Sequence, residues 1–351
     1  MRVTFTATAL TLLATAALSA ASPLKERQSF VPSEFDTWVW RDVSANVCAD
    51  GSSTGAAYNA RADYNAKDLL IWFDSGGACW DAYTCFYNPT AYNLNGYTNY
   101  TFQTYARPGL ESQFLVTSRD PARNNPWANA HMIFVPYCTG DVHGGNNVVT
   151  YGGAPAPIHH KGYDNFQNIL ELASSMVPWI ENVYVAGSSA GCYGAVLNYV
   201  AAKSAWPDAK VHLIADSCEA TPGFLNSKPS WNLVQPSGSS CPNCASGEFN
   251  SILPALSEAN PGSRFGSISY SVDDYLPYFL STTMQSFATL IKQYFANITA
   301  TATNMAKTFT VAGQAHGVLI HTRPGSATDA ELASWLATLK DLGSTFQSQS
   351  V

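Results

Sequence analysis

Short runs of apolar residues recur along the chain, and each run ends in a loop of glycine and small polar residues. Strands of a parallel sheet that is covered on both faces are apolar throughout rather than alternating, so these runs predict buried parallel strands. They lie at residues 69–73, 131–135, 182–186, 211–215 and 309–311, with a further short strand at 267–271.

Segments with a helical pattern alternate with these strands. They cover residues 164–176 and 192–203, and a capping box from Thr328 to Glu331 predicts a last helix that extends to about Leu342. This alternation predicts an α/β fold with a mainly parallel sheet and helices on both faces. Ligands of such sheets bind at the carboxyl ends of the strands, where the loops rich in glycine and serine fall.

The N-terminus has the features of a secretory signal peptide. Arg2 precedes an apolar stretch that ends in small residues near Ala21, and the stretch is short of the roughly 20 residues that span a bilayer. We therefore expect a signal peptide at 1–21, a processed segment at 22–30, and one domain at 31–351. The protein is expected to be secreted and not to bind membranes.

Charge and cysteine content agree with an extracellular protein. Loss of residues 1–27 would change the net charge from −7 to −9, which argues against nucleic-acid and anionic-membrane partners and mildly against a polyanionic substrate.

The eight cysteines predict disulfides, and Cys79 and Cys85 are close enough to close one loop, although spacing alone leaves the connectivity open. The sequons at Asn99 and Asn297 fit a glycosylated surface.

The candidate nucleophile is Ser189, the central residue of Gly187-Ser188-Ser189-Ala190-Gly191. This G-x-S-x-G pattern follows a predicted strand and precedes a helix of small residues, which is the context of a strained strand-to-helix turn carrying a nucleophilic serine. An ordinary glycine turn is the alternative. Ser188 is disfavoured as the nucleophile because it is not the central residue of the motif.

Hydrolysis through this serine needs hydrogen-bond donors for the negative oxygen that develops in the transition state. One is expected from the backbone amide of Ala190, directly after the nucleophile. The others are expected from the amides of Gly77 and Ala78, in the loop after the strand at 69–73. A glycine turn that only reverses the chain is the alternative.

The base and the acid should follow the nucleophile along the chain. His316 lies directly after the strand at 309–311 and is favoured over His321, which we expect to be structural. The acid that pairs with the histidine has three candidates. The pair Asp273 and Asp274 follows the strand at 267–271 and is favoured over Asp216, which can instead hold a loop through backbone hydrogen bonds.

Four motifs, in the same order along the chain, resemble the pectin acetylesterase/Notum family, and most closely its secreted microbial branch. The resemblance implies an α/β-hydrolase fold, a Ser–Asp–His triad and no cofactor, and it matches Asp274 to the family acid better than Asp273. It also matches Asp216-Ser217 to an Asp-Ser-Gly motif that is not the acid. Ser75 and Cys192 depart from the family pattern, since glycine is usual at both. The motifs lie at 76–81, 135–143, 160–163 and 187–191.

The sequence therefore predicts a secreted serine carboxylic-ester hydrolase and, through the resemblance, one that removes acetyl groups from a plant cell-wall polysaccharide such as pectin. We expect a monomer with a triad of Ser189, Asp274 and His316. Deacylation of longer acyl esters, as in the animal relatives, and an inactive glycan-binding relative are the alternatives. A zinc hydrolase is disfavoured because no spacing such as H-E-x-x-H occurs. The tyrosine-rich segment 83–105 is a candidate sugar- or acyl-binding surface, and a packed or glycosylated cover loop is the alternative.

Overall fold

The computed structural model describes residues 34–63, 65–239, 241–244, 247–300 and 305–351. The predicted signal peptide (1–21) and processed segment (22–30) lie outside these residues. Both therefore stay predictions.

A nine-stranded sheet forms the centre of the described structure, in the order β1-β2-β4-β3-β7-β8-β9-β10-β11. β1 pairs antiparallel with β2, β2 pairs antiparallel with β4, and all other neighbours are parallel. Strands β5 and β6 form a separate hairpin. The strands are β1 Val39–Val47, β2 Ser53–Asn59, β3 Asp68–Phe73, β4 His131–Val135, β5 Asn147–Val149, β6 Ile158–His160, β7 Asn182–Ser188, β8 Lys210–Asp216, β9 Phe265–Val272, β10 Ala306–Gln314 and β11 Gln349–Ser350.

Helices connect the parallel strands, and shorter helical turns occur in the loops. The α-helices are α1 Asn99–Thr101, α2 Gly162–Met176, α3 Ala190–Leu197, α4 Tyr199–Ala205, α5 Phe224–Ser227, α6 Ile252–Ala259, α7 Leu276–Phe279, α8 Met284–Ala300, α9 Val318–His321 and α10 Ala327–Lys340. Turns of π-helix lie at Tyr83–Tyr87, Phe102–Ala106 and Gly109–Gln113, and 3₁₀ turns at Pro121–Arg123, Pro229–Trp231 and Phe249–Ser251.

The continuous apolar strands are explained by burial on both faces of the sheet. Side chains alternate between the faces along a strand. In β3, Leu69, Ile71 and Phe73 pack in the cluster that includes residues of α2, α3 and α8. Leu70 and Trp72 pack in the cluster on the other face, with residues of α10. The predicted α/β fold, with a mainly parallel sheet between helices, is confirmed.

The last helix begins earlier than its sequence pattern predicts. The expected capping box at Thr328 is wrong: the helix is capped by Ser326, whose hydroxyl accepts a hydrogen bond from the amide of Asp329 at 3.1 Å. The Asp329 carboxylate forms a buried ion pair with Arg123 at 2.7 Å. A long-range contact of this kind leaves no periodic signal in the sequence.

Four disulfides join the cysteines of the described residues. The predicted Cys79–Cys85 bridge is confirmed, and the other pairs are Cys48–Cys138, Cys192–Cys218 and Cys241–Cys244. Such bridges persist in oxidising compartments. In the described part of the chain, no helix has the length and apolar character that crossing a membrane requires.

Candidate active site

Ser189 occupies a strained turn between β7 and α3. Its φ is 55° and its ψ is −127°, a combination that costs free energy for a residue with a side chain. The glycines of the motif are required by close packing. A Cβ added to Gly187 would lie 2.3 Å from the carbonyl oxygen of Gly191, and one added to Gly191 would lie 2.1 Å from that of Phe73. This is the geometry of a nucleophile elbow, which presents its serine at the end of a strand.

His316 and Asp273 form a buried pair. His316 follows β10 and is 8% exposed, and its Nδ1 lies 2.6 Å from Oδ2 of Asp273, which is 0% exposed. The other oxygen of Asp273 accepts hydrogen bonds from the amides of Tyr275 and Leu276, each at 2.8 Å. These bonds fix the carboxylate, which in turn fixes the imidazole ring.

The prediction of Asp274 as the partner of His316 is wrong. Asp274 is exposed to solvent, whereas its neighbour Asp273 contacts the ring. The physical reason is the turn that follows β9. The Asp273 carboxylate must fold back to accept the two amides that open α7, and this points the next side chain outwards.

Asp216 holds the loop of His316 rather than its ring, as the sequence allowed. Its carboxylate oxygens accept hydrogen bonds from the amides of Val318 at 3.0 Å and Leu319 at 2.8 Å, at the start of α9. Burial raises the pKa of Asp216, and the Leu319 amide lowers it. The hydroxyl of Ser217 accepts from the amide of Gly317 at 3.1 Å. The end of β8 therefore positions the residues that follow His316.

The same loop passes beside the elbow. A Cβ added to Gly317, which has a φ of 74°, would lie 2.9 Å from Oγ of Ser188. The Ser189 amide donates to the carbonyl oxygen of Asp216 at 2.9 Å. The Cys192–Cys218 disulfide also ties α3 to the segment after β8. The strand ends thus bring the segments of Ser189 and His316 together.

Of the predicted donors for a negative oxygen, Ala78 is wrong. Its amide donates to the carbonyl oxygen of Thr90 at 3.2 Å, and its own carbonyl accepts from the Thr90 hydroxyl at 2.6 Å. The isolated β-bridge between Gly77 and Ala91 imposes this pairing. Both hydrogen-bonding groups of the Ala78 backbone are therefore engaged.

Gly77 and Ala190 keep their amides available. Neither amide hydrogen-bonds to another residue of the described chain, and both residues line the same pocket as Ser189. The Ala190 amide lies in the first turn of α3, where backbone donors have no partner within the helix. Gly77 has a φ of 75°, and a Cβ there would lie 2.1 Å from the oxygen of Thr90, so the loop requires glycine.

Tyr137 positions the Gly77 peptide, a role that the sequence did not predict. Its hydroxyl donates to the carbonyl oxygen of Gly77 at 2.9 Å and accepts from the amide of Val142 at 2.9 Å. Burial raises the pKa of Tyr137 well above its ordinary value, so the hydroxyl stays protonated and able to donate. The only sequence signal was its place in the 135–143 motif, which by itself specifies no contact.

Two further groups, His143 and Asp74, support the loop after β3. Nε2 of His143 lies 2.8 Å from the carbonyl oxygen of Asp74, and burial lowers the pKa of this histidine to about 4, so the ring is neutral. Burial also raises the pKa of Asp74 to about 7, although the Ser75 amide donates to its carboxylate and lowers it. Asp74 was not singled out from the sequence.

The pocket beside Ser189 is almost entirely apolar. Its cavity volume is about 30 Å³. Besides Gly77, Ser189 and Ala190, the lining residues are Ala78, Trp80, Val142, Tyr193, Phe224, Lys228, Trp231, Leu276, Phe279 and Leu280. Three of them belong to the segment that follows Asp273, so one stretch of chain supplies both the acid and a wall of the pocket.

No group of three or more histidine, cysteine, aspartate or glutamate side chains that can hold a metal ion occurs among the residues that the structure describes. The predicted structural role of His321 agrees with its contact, since its Nδ1 faces the carbonyl oxygen of His316.

Comparison with known proteins connects this geometry to a family. The family model for pectinacetylesterase matches residues 30–229, which is more than half of the chain. Palmitoleoyl-protein carboxylesterase notum1 of Xenopus laevis is 27% identical over 158 residues, covering 43% of this chain and 29% of the relative. Palmitoleoyl-protein carboxylesterase NOTUM of Homo sapiens is 28% identical over 182 residues, covering 49% of this chain and 34% of the relative.

A shorter relative from Danio rerio, named inactive palmitoleoyl-protein carboxylesterase notum1b, is 28% identical over 108 residues, covering 30% of this chain and 71% of the relative. The chain spans about a third of the length of the Xenopus and human relatives. The match of the family model over more than half of the sequence shows that the chain belongs to the pectinacetylesterase family.

Proposed function

We propose that the protein is a serine carboxylic-ester hydrolase with Ser189 as nucleophile, His316 as base and Asp273 as acid. The observation that carries this proposal is the Nδ1–Oδ2 bond of 2.6 Å between His316 and Asp273, in a loop held against the strained elbow of Ser189. Membership of the pectinacetylesterase family supports ester hydrolysis as the reaction.

In the proposed reaction, Oγ of Ser189 attacks the ester carbonyl carbon while Nε2 of His316 takes the hydroxyl proton. The carboxylate of Asp273 keeps the other ring nitrogen protonated and stabilises the imidazolium. The amides of Gly77 and Ala190 donate to the oxyanion, and His316 then protonates the leaving alcohol. Water hydrolyses the acyl-enzyme by the same steps, with His316 again acting first as base and then as acid.

The substrate proposed is an acetyl ester on a plant cell-wall polysaccharide such as pectin. The small cavity, about 30 Å³, suits an acetyl group better than a long fatty acyl chain. The apolar lining suits a methyl group, which gains free energy when it leaves water. The disulfides and the N-terminal pattern support secretion as the localisation.

Turnover of a series of p-nitrophenyl esters from acetate to palmitate tests this assignment. We expect kcat/KM to be highest for acetate and to fall at least about tenfold by octanoate, because each added methylene must displace well-packed side chains. The Ser189→Ala variant gives the background rate. A preference for long chains would instead favour a lipid or protein deacylase, and absence of turnover with every ester would favour an inactive binding protein.

A further inference from the structure

Lys228 is the one charged side chain among the described residues that line the pocket of Ser189. Its Nζ lies 4.2 Å from the centroid of the Trp80 ring. It forms neither an ion pair nor a hydrogen bond with any residue of the described chain. Asp81 is near enough to raise the pKa of Lys228, but its carboxylate hydrogen-bonds the amide and hydroxyl of Thr84, at 2.7 and 2.8 Å.

Partial burial of an ammonium group without a hydrogen-bonded partner is unfavourable, and the cation–π contact with Trp80 offsets only part of that cost. Burial is the larger influence on Lys228 and lowers its pKa. A cation kept beside a reactive serine without an anionic partner is explained if the substrate supplies that partner.

The exposure of the lining residues shows which part of a substrate would meet Lys228. Phe224, Trp231 and Leu276 are buried and form the apolar interior of the pocket. Trp80 and Lys228 are half-exposed, as is Ser189. An acyl group in the interior would leave the alcohol part of the ester at this half-exposed side, next to the ammonium group.

We propose that Lys228 binds a carboxylate carried by the sugar whose hydroxyl is acylated, so that the rate depends on whether this carboxylate is free or methyl-esterified. This inference rests on the proposed ester hydrolysis at Ser189. A single cation suits a single carboxylate at the reacting residue. It agrees with a chain whose net charge of −7 disfavours long runs of negative charge.

The test compares two forms of an O-acetylated methyl galacturonoside, which has a single carboxylate: one form with this carboxylate free and one with it methyl-esterified. For the wild-type protein we expect kcat/KM to be about 10- to 100-fold higher with the free form, the range expected for a charge-assisted hydrogen bond. In Lys228→Met, this ratio should fall to near one. Lys292→Met, on the exposed surface of α8, is the matched control and should keep the wild-type ratio.

An unchanged ratio in Lys228→Met would overturn the inference. A parallel comparison of p-nitrophenyl hemisuccinate with p-nitrophenyl butyrate places the carboxylate on the acyl side instead. If only this second ratio falls in the variant, the assignment to the sugar is wrong. Hydrolysis of p-nitrophenyl acetate by the wild-type protein separately tests the proposed function, so the two failures are distinguishable.

Discussion

The Ser189→Ala variant is expected to lose ester hydrolysis almost completely, with kcat lowered by about 10⁵–10⁶, the loss seen when the nucleophile of a triad is removed. Without Oγ, no acyl-enzyme forms, and the donors of Gly77 and Ala190 have no attached intermediate to stabilise. The fold should persist, because alanine lacks only the hydroxyl and meets the same backbone strain at a φ of 55°. Release of p-nitrophenol from the acetate ester, together with a thermal melt, measures both effects.

Ser188→Ala is the matched control for this experiment. Ser188 is buried at the end of β7 and is not among the residues lining the pocket, whereas Ser189 is half-exposed and lines it. We expect Ser188→Ala to keep most of the activity. Wild-type turnover in Ser189→Ala, or loss confined to Ser188→Ala, would contradict the assigned nucleophile.

Asp273→Asn is expected to lower kcat by about 10⁴, the loss found when the acid of such a triad becomes an amide. The asparagine oxygen can still accept the amides of Tyr275 and Leu276, so the turn should survive. Its NH₂ group, however, would face Nδ1 of His316, which favours the tautomer in which Nε2 carries the proton. A base with its proton on Nε2 cannot accept one from Ser189.

Asp274→Asn provides the control, because it makes the same chemical change at the adjacent, exposed position. Its kcat should stay within about twofold of wild type, as surface substitutions away from such contacts have small effects. The pH-independent part of the rate profile gives kcat for both variants. Near-normal turnover in Asp273→Asn together with a large loss in Asp274→Asn would reverse the assignment.

The sheet and the elbow could be predicted from the sequence because their signals are local. Burial of both faces makes the central residues of β3 and β7 apolar, and the close approaches at Gly187 and Gly191 exclude any side chain. The antiparallel pair β1 and β2 and the helix α8 were not predicted. All three carry exposed positions, and polar residues interrupt the apolar pattern in each.

The acid and one oxyanion donor could not be assigned because their selection depends on loop conformation. Asp273 and Asp274 have the same chemistry, and only the turn into α7 decides which carboxylate faces His316. Likewise, Ala78 is excluded by its pairing with Thr90, a contact between two loops. The hydrogen bond from Tyr137 to Gly77 spans 60 positions and leaves no pattern in the sequence.

The most direct test of the central claim is to find which residue an organophosphorus ester modifies in the active protein. Such a reagent forms a stable adduct with a serine that a neighbouring histidine activates. Mass spectrometry of peptides from the inhibited protein should place the adduct on Ser189, with the fraction modified equal to the fraction of esterase activity lost. Loss of activity with Ser189 unmodified, or with the adduct on another residue, would contradict the account.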